Sequence, residues 1–442
     1  MKSPLLLDKD VVQTLIFRSW TTVSGVLMLL TIPFWLTPTE QGYFYLFYSI
    51  IALQVFFELG LNQIVMQRLS ACFGKLSVSN DGLLSGLPED LGDFKNILIA
   101  TKKWYRNIVI CFYIISLFVG CYMLLHSADE GASEALTTLA VLLVFVALNI
   151  FFSIELTARQ STSQVAEVAK LRTLQSISGY AILLVLVFLF DVGLAAILAL
   201  SCTSCIFTYV WLKKHQYRYS VEPNSKGQVS WLIEFFPLQW KISVSWISGY
   251  LVGQFLILFI FREYGAELAG KYGITMSIFS AILAMGLSIC VAKIPEIARL
   301  LSIGSNKIAF DLFRALLIRA LLLVVLSMTV FILVVTCFYS DLNFLTERML
   351  EPKLMFLFAL VTTANTLIMS IAAYLRAHNK EPVLGLSVAL ALLVLLNIVF
   401  SIGQSIEILI LGYMFIHVVV GIPWILLLLI RQLNSNGLSF FD

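Results

Sequence analysis

The sequence predicts an all-α integral membrane protein with about twelve transmembrane helices. Of its 442 residues, 60% are apolar and only 12% are charged, and the mean hydropathy is +0.94. An ordinary soluble domain carries roughly 25% charged residues, so this chain lacks the charge to cover a water-facing surface of its size. Its apolar residues form continuous runs of about 20, the length that a helix needs to cross a bilayer. Continuous runs also favour helices over the alternating strands of a β-barrel.

Twelve apolar segments follow one another, six on each side of a basic connection. The first six are predicted at Thr14–Leu36, Tyr43–Met66, Trp104–Leu125, Ala135–Leu156, Thr173–Phe190 and Leu194–Leu212. The second six are predicted at Trp240–Phe261, Ile274–Ala292, Leu316–Phe338, Leu354–Leu375, Val383–Ile402 and Ile408–Ile430. We therefore expect a six-helix lobe over residues 1–212, a cytoplasmic connection over 213–239 and a second six-helix lobe over 240–442.

The distribution of basic residues predicts the orientation of the helices. With the N-terminus in the cytoplasm, all but four of the 29 lysines and arginines fall on the cytoplasmic side. The four exceptions are Arg262, Lys271, Arg348 and Lys353. This asymmetry follows the positive-inside rule, and an even number of helices returns the C-terminus to the cytoplasm.

One long inner loop contains the stretch Ser77–Asp93, which is rich in Ser, Gly, Asp and Pro. This composition predicts a flexible linker.

Several classes of function are excluded. The formal net charge of +3 is close to neutral, so it does not indicate the strongly basic surface that binds nucleic acids. The seven cysteines are scattered, Cys202 and Cys205 lie outside any βαβ pattern, and no metal-binding motif occurs among the four histidines. All predicted outer loops are too short for a catalytic domain. We therefore expect a protein that is not an enzyme, needs no cofactor and acts within the membrane.

Three short motifs in the first seventy residues carry a family resemblance. They are LTPTEQGY at 36–43, FELGL at 57–61 and RLS at 68–70. Together they resemble the start of bacterial polysaccharide flippases, the translocases of O-antigen and capsule repeat units. That family shares a superfamily with the multidrug and toxin extrusion (MATE) transporters and the peptidoglycan precursor flippase. The likeness extends over the whole chain in length, helix count and topology.

The resemblance implies both an architecture and an activity. It implies a MATE-like, V-shaped bundle of two lobes in the bacterial inner membrane. The substrate it implies is an oligosaccharide on a polyprenyl pyrophosphate, moved from the cytoplasmic to the outer leaflet by alternating access. Coupling to an H⁺ or Na⁺ gradient is expected with it. Besides membrane lipids, the polysaccharide polymerase machinery is an expected partner.

Charged residues inside spans are costly, at roughly 2.5–3.5 kcal/mol each on insertion scales, so each needs an explanation. Arg18 in the first span suits a phosphate contact, because a guanidinium offers a rigid fork of donors; the alternative is that it snorkels to the headgroups. Glu58 in the second span is at a depth where it can pair with Arg18. It is either half of a buried ion pair that fixes packing, or a protonatable carboxylate or sugar-hydroxyl acceptor that becomes exposed when Arg18 engages phosphate.

Further charges are expected near the cytoplasmic rim. Lys241, Lys293 and Arg319 would together make an inward-facing mouth electropositive and suited to an anionic head group. Taken singly, each also fits a positive-inside anchor. His417 in the last span is a candidate for ion coupling, with a hydrogen bond inside the bundle as the alternative. Arg159 and Glu155, one helical turn apart, are expected to pair with each other.

Two other functions, an extrusion antiporter and a membrane enzyme, would each leave a sign in the sequence. A cation-coupled multidrug extrusion antiporter of the same fold would usually carry an acidic residue in its first helix, whereas Thr14–Leu36 has no carboxylate and contains Arg18. A membrane polymerase or ligase would need a sizeable outer loop. The antiporter is retained as the alternative.

Overall fold

A computed structural model of the chain describes residues 9–78, 83–125, 131–216, 218–219, 235–337, 346–378 and 382–435. Contacts within the chain divide it into two compact units, Met1–Trp246 and Ile247–Asp442. The described residues contain ten helices long and apolar enough to cross a membrane, or eleven if one bent pair is a single span. The prediction of an all-α, multi-pass membrane protein is therefore confirmed.

The first unit contains eight described α-helices and the start of a ninth. They are α1 (Lys9–Trp35), α2 (Pro38–Ile51), α3 (Gln54–Glu58), α4 (Leu61–Phe73), α5 (Pro88–Leu125), α6 (Ala132–Ser161), α7 (Val165–Phe190), α8 (Leu198–Lys214) and α9 (Phe236–Gly253). A 3₁₀ turn, Leu194–Ile197, leads into α8. The boundary between the two units falls inside α9.

The second unit continues with eight more described α-helices. They are α10 (Phe255–Tyr264), α11 (Ala266–Val291), α12 (Ile294–Ser302), α13 (Asn306–Cys337), α14 (Pro352–Arg376), α15 (Leu384–Phe400), α16 (Ile406–Phe415) and α17 (Ile422–Ser435). Helix α15 has 17 residues, which gives a rise of about 25 Å, less than the roughly 30 Å of a bilayer core. With α15 counted, each of the twelve predicted segments overlaps a described helix.

The two units repeat one packing pattern. If the apolar segments of each unit are numbered one to six, the second, third and fourth pack on one another in both units. The fourth also packs on the sixth, and the fifth on the sixth. The first segment is the exception, because α1 packs along α7 whereas α10 packs on α11. Shared pairings are what an internal duplication of a six-helix unit would give.

The second predicted span, Tyr43–Met66, is broken rather than continuous. Helix α3 ends at Glu58, and the next two residues, Leu59 and Gly60, have positive φ angles of 49° and 71°. The chain bends by 47° between the helices that flank this break. Left-handed backbone cannot continue a right-handed helix, so the ELG sequence ends one half-helix and starts another.

The described part of the predicted linker at Ser77–Asp93 is mostly regular secondary structure, and residues 79–82 lie outside the described residues. Strands β1 (Ser77–Val78) and β2 (Leu83–Ser85) pair antiparallel there, and β2 pairs in parallel with β3 (Arg218–Tyr219). Helix α5 then begins at Pro88, with Glu89 and Asp90 in its first turn. Proline and acidic residues favour a helix start, so the composition that suggested a linker contains the signal for a helix.

Gly60→Ala should destabilise the first unit. The position has φ +71°, and an added Cβ would lie 2.5 Å from Cγ2 of Ile242. Left-handed strain alone costs about 1–2 kcal/mol, and we expect a lower midpoint of thermal unfolding in detergent. Gly25→Ala is the matched control, since nothing lies within 4 Å of a Cβ there. Equal midpoints for the two variants would contradict the account of the break.

Candidate functional site

The break in the second span places a carboxyl group inside the first unit. Glu58 is the last residue of α3 and is 7% exposed. No lysine or arginine among the described side chains forms an ion pair with it. The C-terminal end of a helix carries partial negative charge, so the end of α3 does not stabilise the ionised carboxylate of Glu58. Glu58 is a group that a bound cation or proton would stabilise.

Asn62 connects Glu58 to the neighbouring helix. Its Nδ2 donates to Oε1 of Glu58 at 3.4 Å and to Oγ of Ser153 on α6 at 3.2 Å. Its Oδ1 accepts from Oγ1 of Thr157 at 3.4 Å. The half-helix α3, the half-helix α4 and the long helix α6 therefore meet in one partly buried polar network. We call Glu58, Asn62, Ser153 and Thr157 the Glu58 network.

Tyr105 on α5 extends this polar region. The residue is fully buried, and its hydroxyl makes no hydrogen bond within the described part of the chain. Helix α5, which carries Tyr105, packs on both α3 and α4. Sequence analysis singled out Glu58 but missed Asn62, Ser153, Thr157 and Tyr105. Polar residues inside otherwise apolar runs are the signal that points to such positions.

The start of α9 lies against the break. Oγ of Ser243 donates to the carbonyl of Leu59 at 3.2 Å, and Ile242 is the residue that a Cβ at Gly60 would meet. Lys241, a predicted site residue, precedes Ile242 in α9, so its backbone lies within about a helical turn of the break. Its side chain lies outside the described residues. The structure thus brings two predicted site positions, 58 and 241, to neighbouring segments of the first unit.

Arg18 lies elsewhere in the first unit. Helix α1 packs on α7, where Nε1 of Trp20 donates to Oγ of Ser176 at 2.9 Å. The Arg18 side chain is exposed, and no ion pair to it occurs among the described side chains. The expected pairing with Glu58 is therefore not observed. Arg18 is the one charged residue in the candidate span Val12–Trp35.

Two predicted basic residues fall in the second unit. Lys293 directly precedes α12 and is exposed, with Nζ 2.8 Å from Oε2 of Glu296. This partner offsets its charge. Arg319 on α13 is exposed, and the described side chains offer it no ion pair. Of these two residues, Arg319 is thus the one whose charge is available to a ligand.

His417 lies in a π-helical turn, Ile416–Gly421, that interrupts the last span. It is fully buried, and its Nδ1 is 2.8 Å from the carbonyl of Tyr413. Its Nε2 is buried with no hydrogen-bond partner in the described residues. Pro423 follows the turn and has no N–H to donate, which explains the local widening of the helix.

Glu155 has a partner on another helix that the spacing along α6 did not predict. Nζ of Lys102 forms the ion pair with Glu155, while Arg159 is 2% exposed and donates to the carbonyl of His215. Helix α5 approaches α6 closely enough for Lys102 to reach Glu155. The spacing of residues along one helix does not reveal such a contact.

Among the described residues, no group of three or more His, Cys, Asp or Glu side chains is arranged to hold a metal ion.

Comparison with known proteins identifies the fold. No family model matches the sequence, and no curated protein is significantly similar to it. An inward-facing multidrug resistance MATE family transporter of the MOP superfamily superposes with a TM-score of 0.62 at 14% identity, over 94% of each chain. The lipid II flippase MurJ, in an inward closed conformation, gives 0.63 at 14% identity, over 95% of this chain and 87% of its own.

A eukaryotic MATE transporter gives a TM-score of 0.58 at 13% identity, over 96% of this chain and 94% of its own. The chain therefore has the fold that MATE transporters share with MurJ. A lipid flippase and drug transporters both use this fold, so the fold alone does not identify the function of this chain.

Asn62→Ala should weaken the first unit by removing the amide that links Glu58 to α6. Loss of a hydrogen bond to a buried polar group costs about 1–3 kcal/mol, measured as the free energy of unfolding in detergent. In a Glu58→Leu background the same substitution should cost about 1 kcal/mol less, because the partner is already gone. Strictly additive losses in this double-mutant cycle would show that the two side chains do not interact.

Proposed function

We propose that this protein is a flippase that moves an oligosaccharide linked to a polyprenyl pyrophosphate across the bacterial inner membrane. The substrate enters from the cytoplasmic leaflet, with its charged head between the helices and its tail in lipid. The protein then exposes the head to the outer side by alternating access. The family resemblance and the shared fold with MurJ support this proposal, and no bond is made or broken in the process.

Arg18 carries the proposal. It is the single charge in the first candidate span, it is exposed, and the described carboxylates leave it unpaired. It lies six residues into that span, about 9 Å along the helix axis. A guanidinium at this depth costs free energy unless it snorkels to the head groups or an anion compensates it, and the flippase proposal takes the second case. A pyrophosphate supplies such an anion, with oxygens that match the arginine fork.

Other basic residues would complete an anion site. Arg319 supplies a second exposed guanidinium, and Lys241 is a further candidate ligand at the start of α9. Lys293 would contribute less because Glu296 already accompanies it. With Glu58 as an acceptor for sugar hydroxyls, Arg18, Lys241, Lys293 and Arg319 form the proposed substrate set.

Glu58 and His417 are the proposed coupling groups. A buried carboxylate without a cationic partner is costly, and binding of H⁺ or Na⁺ at Glu58 would remove that cost. The Glu58 network connects this event to three helices, since Asn62 contacts residues on both sides of the break. His417 is the candidate coupling group in the second unit, and its Nε2 is buried without a hydrogen-bond partner among the described residues.

A cation-coupled multidrug and toxin extrusion antiporter is the second candidate function. The observation that favours it is the Glu58 network, because a buried carboxyl group is what a cation-coupled transporter needs. Arg18 opposes it, since an exposed arginine repels a cationic drug and attracts an anionic lipid. In both proposals the chain spans the inner membrane with its N- and C-termini in the cytoplasm. The polysaccharide polymerase machinery is a proposed partner of the flippase only.

Arg18→Ala should abolish translocation without removing the protein from the membrane. Loss of one charge-assisted contact costs about tenfold or more in binding. The measurement is recovery of surface polysaccharide in cells whose flippase gene is deleted, alongside membrane abundance of the protein. Arg106→Ala, at another exposed arginine, is the matched control and should restore the polysaccharide. Full complementation by Arg18→Ala would remove Arg18 from the site.

Glu58→Gln should uncouple transport from the ion gradient. Glutamine keeps the size and the hydrogen bond to Asn62 but cannot gain or lose a proton or hold a cation. Translocation into proteoliposomes should then no longer rise when a proton or Na⁺ gradient is imposed. Glu89→Gln, at an exposed position at the start of α5, should respond to the gradient like the unmodified protein. An unchanged response of Glu58→Gln would exclude Glu58 from coupling.

A further inference from the structure

Helices α1 and α7 of the first unit run side by side in the same direction. Near their first turns, a carboxylate oxygen of Asp10 accepts from the backbone N–H of Ala166 at 2.9 Å. Further along both helices, Nε1 of Trp20 donates to Oγ of Ser176 at 2.9 Å. Both contacts join residues that are 156 positions apart. Because the two helices rise equally per residue, each residue of α1 between these contacts lies level with the α7 residue 156 positions later.

This register places two arginines at nearly the same depth. Arg18 of α1 lies level with Leu174, two residues beyond Arg172 of α7. Two residues correspond to about 3 Å along a helix axis. Counted at about 100° per residue from the contact between Trp20 and Ser176, the two arginine side chains leave the helix pair on the same side. The pair α1–α7 therefore presents two neighbouring guanidinium groups.

Arg172 has no partner for its charge among the described residues. It is half-buried, and neither an ion pair nor a hydrogen bond joins its side chain to another described residue. The carboxylates at the start of the helix pair are already engaged: Asp10 accepts from Ala166, and Glu167 lies 2.9 Å from Nζ of Lys9. A half-buried guanidinium without an anion is costly, so a ligand that supplies one would be stabilised there.

The depth of Arg172 is not evident from the sequence. The predicted apolar segment begins after it, at Thr173, so the sequence places Arg172 at the rim. The described helix begins at Val165, and the whole of it, to Phe190, is one candidate span. Arg172 therefore lies seven residues, or about 10 Å, into the span. This depth matches the one found for Arg18 in α1, and it agrees with the register of the two helices.

Two adjacent guanidinium groups suit a pyrophosphate better than a monophosphate. Each phosphoryl group of a pyrophosphate offers oxygens that accept from one arginine fork. Two like charges at one depth also repel each other, and an anion that lies between them removes this repulsion. A monophosphate has one phosphoryl group and less charge, so it can satisfy one fork fully but not both.

We infer that Arg172 and Arg18 together bind the pyrophosphate of the lipid-linked substrate, with one phosphoryl group at each guanidinium. The inference rests on the proposed flippase function and deepens it. It adds a binding residue on α7, and it makes the site selective for a pyrophosphate over a monophosphate. This selectivity is a property that Arg18 alone would not give.

Arg172→Ala tests the inference, and Lys170→Ala is its matched control. Lys170 is an exposed basic residue two positions earlier on the same helix. The purified full chain in detergent is titrated separately with undecaprenyl pyrophosphate, undecaprenyl phosphate and phosphatidylglycerol. Native mass spectrometry counts the bound lipid and gives the affinity for each.

The unmodified chain should bind the pyrophosphate more tightly than the monophosphate. Arg172→Ala should weaken pyrophosphate binding by about tenfold or more, which corresponds to one charge-assisted contact, and should then bind the two polyprenyl lipids alike. Arg18→Ala should have the same effect. Lys170→Ala should keep both the affinity and the selectivity. Arg172→Lys, which keeps the charge without the fork, should lose part of the selectivity.

Thermal unfolding separates binding from a structural role. Since Arg172 has no described partner to lose, the ligand-free Arg172→Ala chain should unfold at the same temperature as the unmodified chain or higher. If alanine lowers the midpoint, Arg172→Gln, which keeps most of the side-chain length, is titrated instead. Its affinity for the pyrophosphate should fall in the same way.

Three results would overturn the inference. The first is unchanged pyrophosphate binding by Arg172→Ala or Arg172→Gln. The second is an equal loss in Lys170→Ala, which would indicate diffuse surface charge. The third is a tighter binding of phosphatidylglycerol that Arg172→Ala removes, which would assign Arg172 to membrane head groups.

Complementation distinguishes these failures from failure of the proposed function. If the unmodified chain does not restore surface polysaccharide in cells that lack their flippase, the flippase proposal itself fails. If the unmodified chain and Arg172→Ala both restore it fully while Arg18→Ala does not, the flippase proposal stands and the role of Arg172 is excluded.

Discussion

The cost of placing charge and unpaired backbone in hydrocarbon governs this molecule. It compels the chain into helices, because only a helix satisfies its own backbone groups within a single segment. It also makes each intramembrane charge informative, since a charge survives there only with a partner, a route to water or a ligand. Just outside the predicted spans, Lys102, Lys271 and Lys293 have carboxylate partners in the structure. Arg18 and Arg319 have none among the described side chains, which is why they carry the anion hypothesis.

The break at Leu59 and Gly60 connects the helix architecture to chemistry. An unbroken helix would bury its carbonyls in internal hydrogen bonds, and its side chains would point outward at regular intervals. The left-handed pair instead ends α3 directly after Glu58 and lets Asn62, one turn later, donate back to that carboxyl. The same break accepts a hydrogen bond from Ser243. The left-handed dipeptide Leu59–Gly60 thus brings a carboxyl group, an amide and the start of α9 into a single region.

Sequence predicted the fold well because span length and hydropathy are local properties. The twelve segments, including the short α15, could be found from apolar runs alone. What failed depended on contacts between distant segments. The Glu155 partner is Lys102 on another helix, β3 pairs with a strand more than a hundred residues earlier, and Asn62 gains its role only beside α6. Glu58 was found because a lone carboxylate in an apolar run is anomalous in itself, whereas an asparagine or threonine there is not.

The two candidate functions make opposite demands on the same first unit. An antiporter needs a carboxyl group that exchanges a small cation, and a flippase needs a cation that holds a large anion. The chain contains both, but in different settings: Glu58 is buried within a hydrogen-bonded network, whereas Arg18 is exposed on a helix that packs elsewhere. A group that binds the charged head of a bulky substrate must be exposed, and a group that binds a proton or Na⁺ can be enclosed. In the proposed flippase, Arg18 therefore binds the charged head of the substrate and Glu58 binds the driving ion, and the positive sign of the exposed charge supports this proposal over the antiporter.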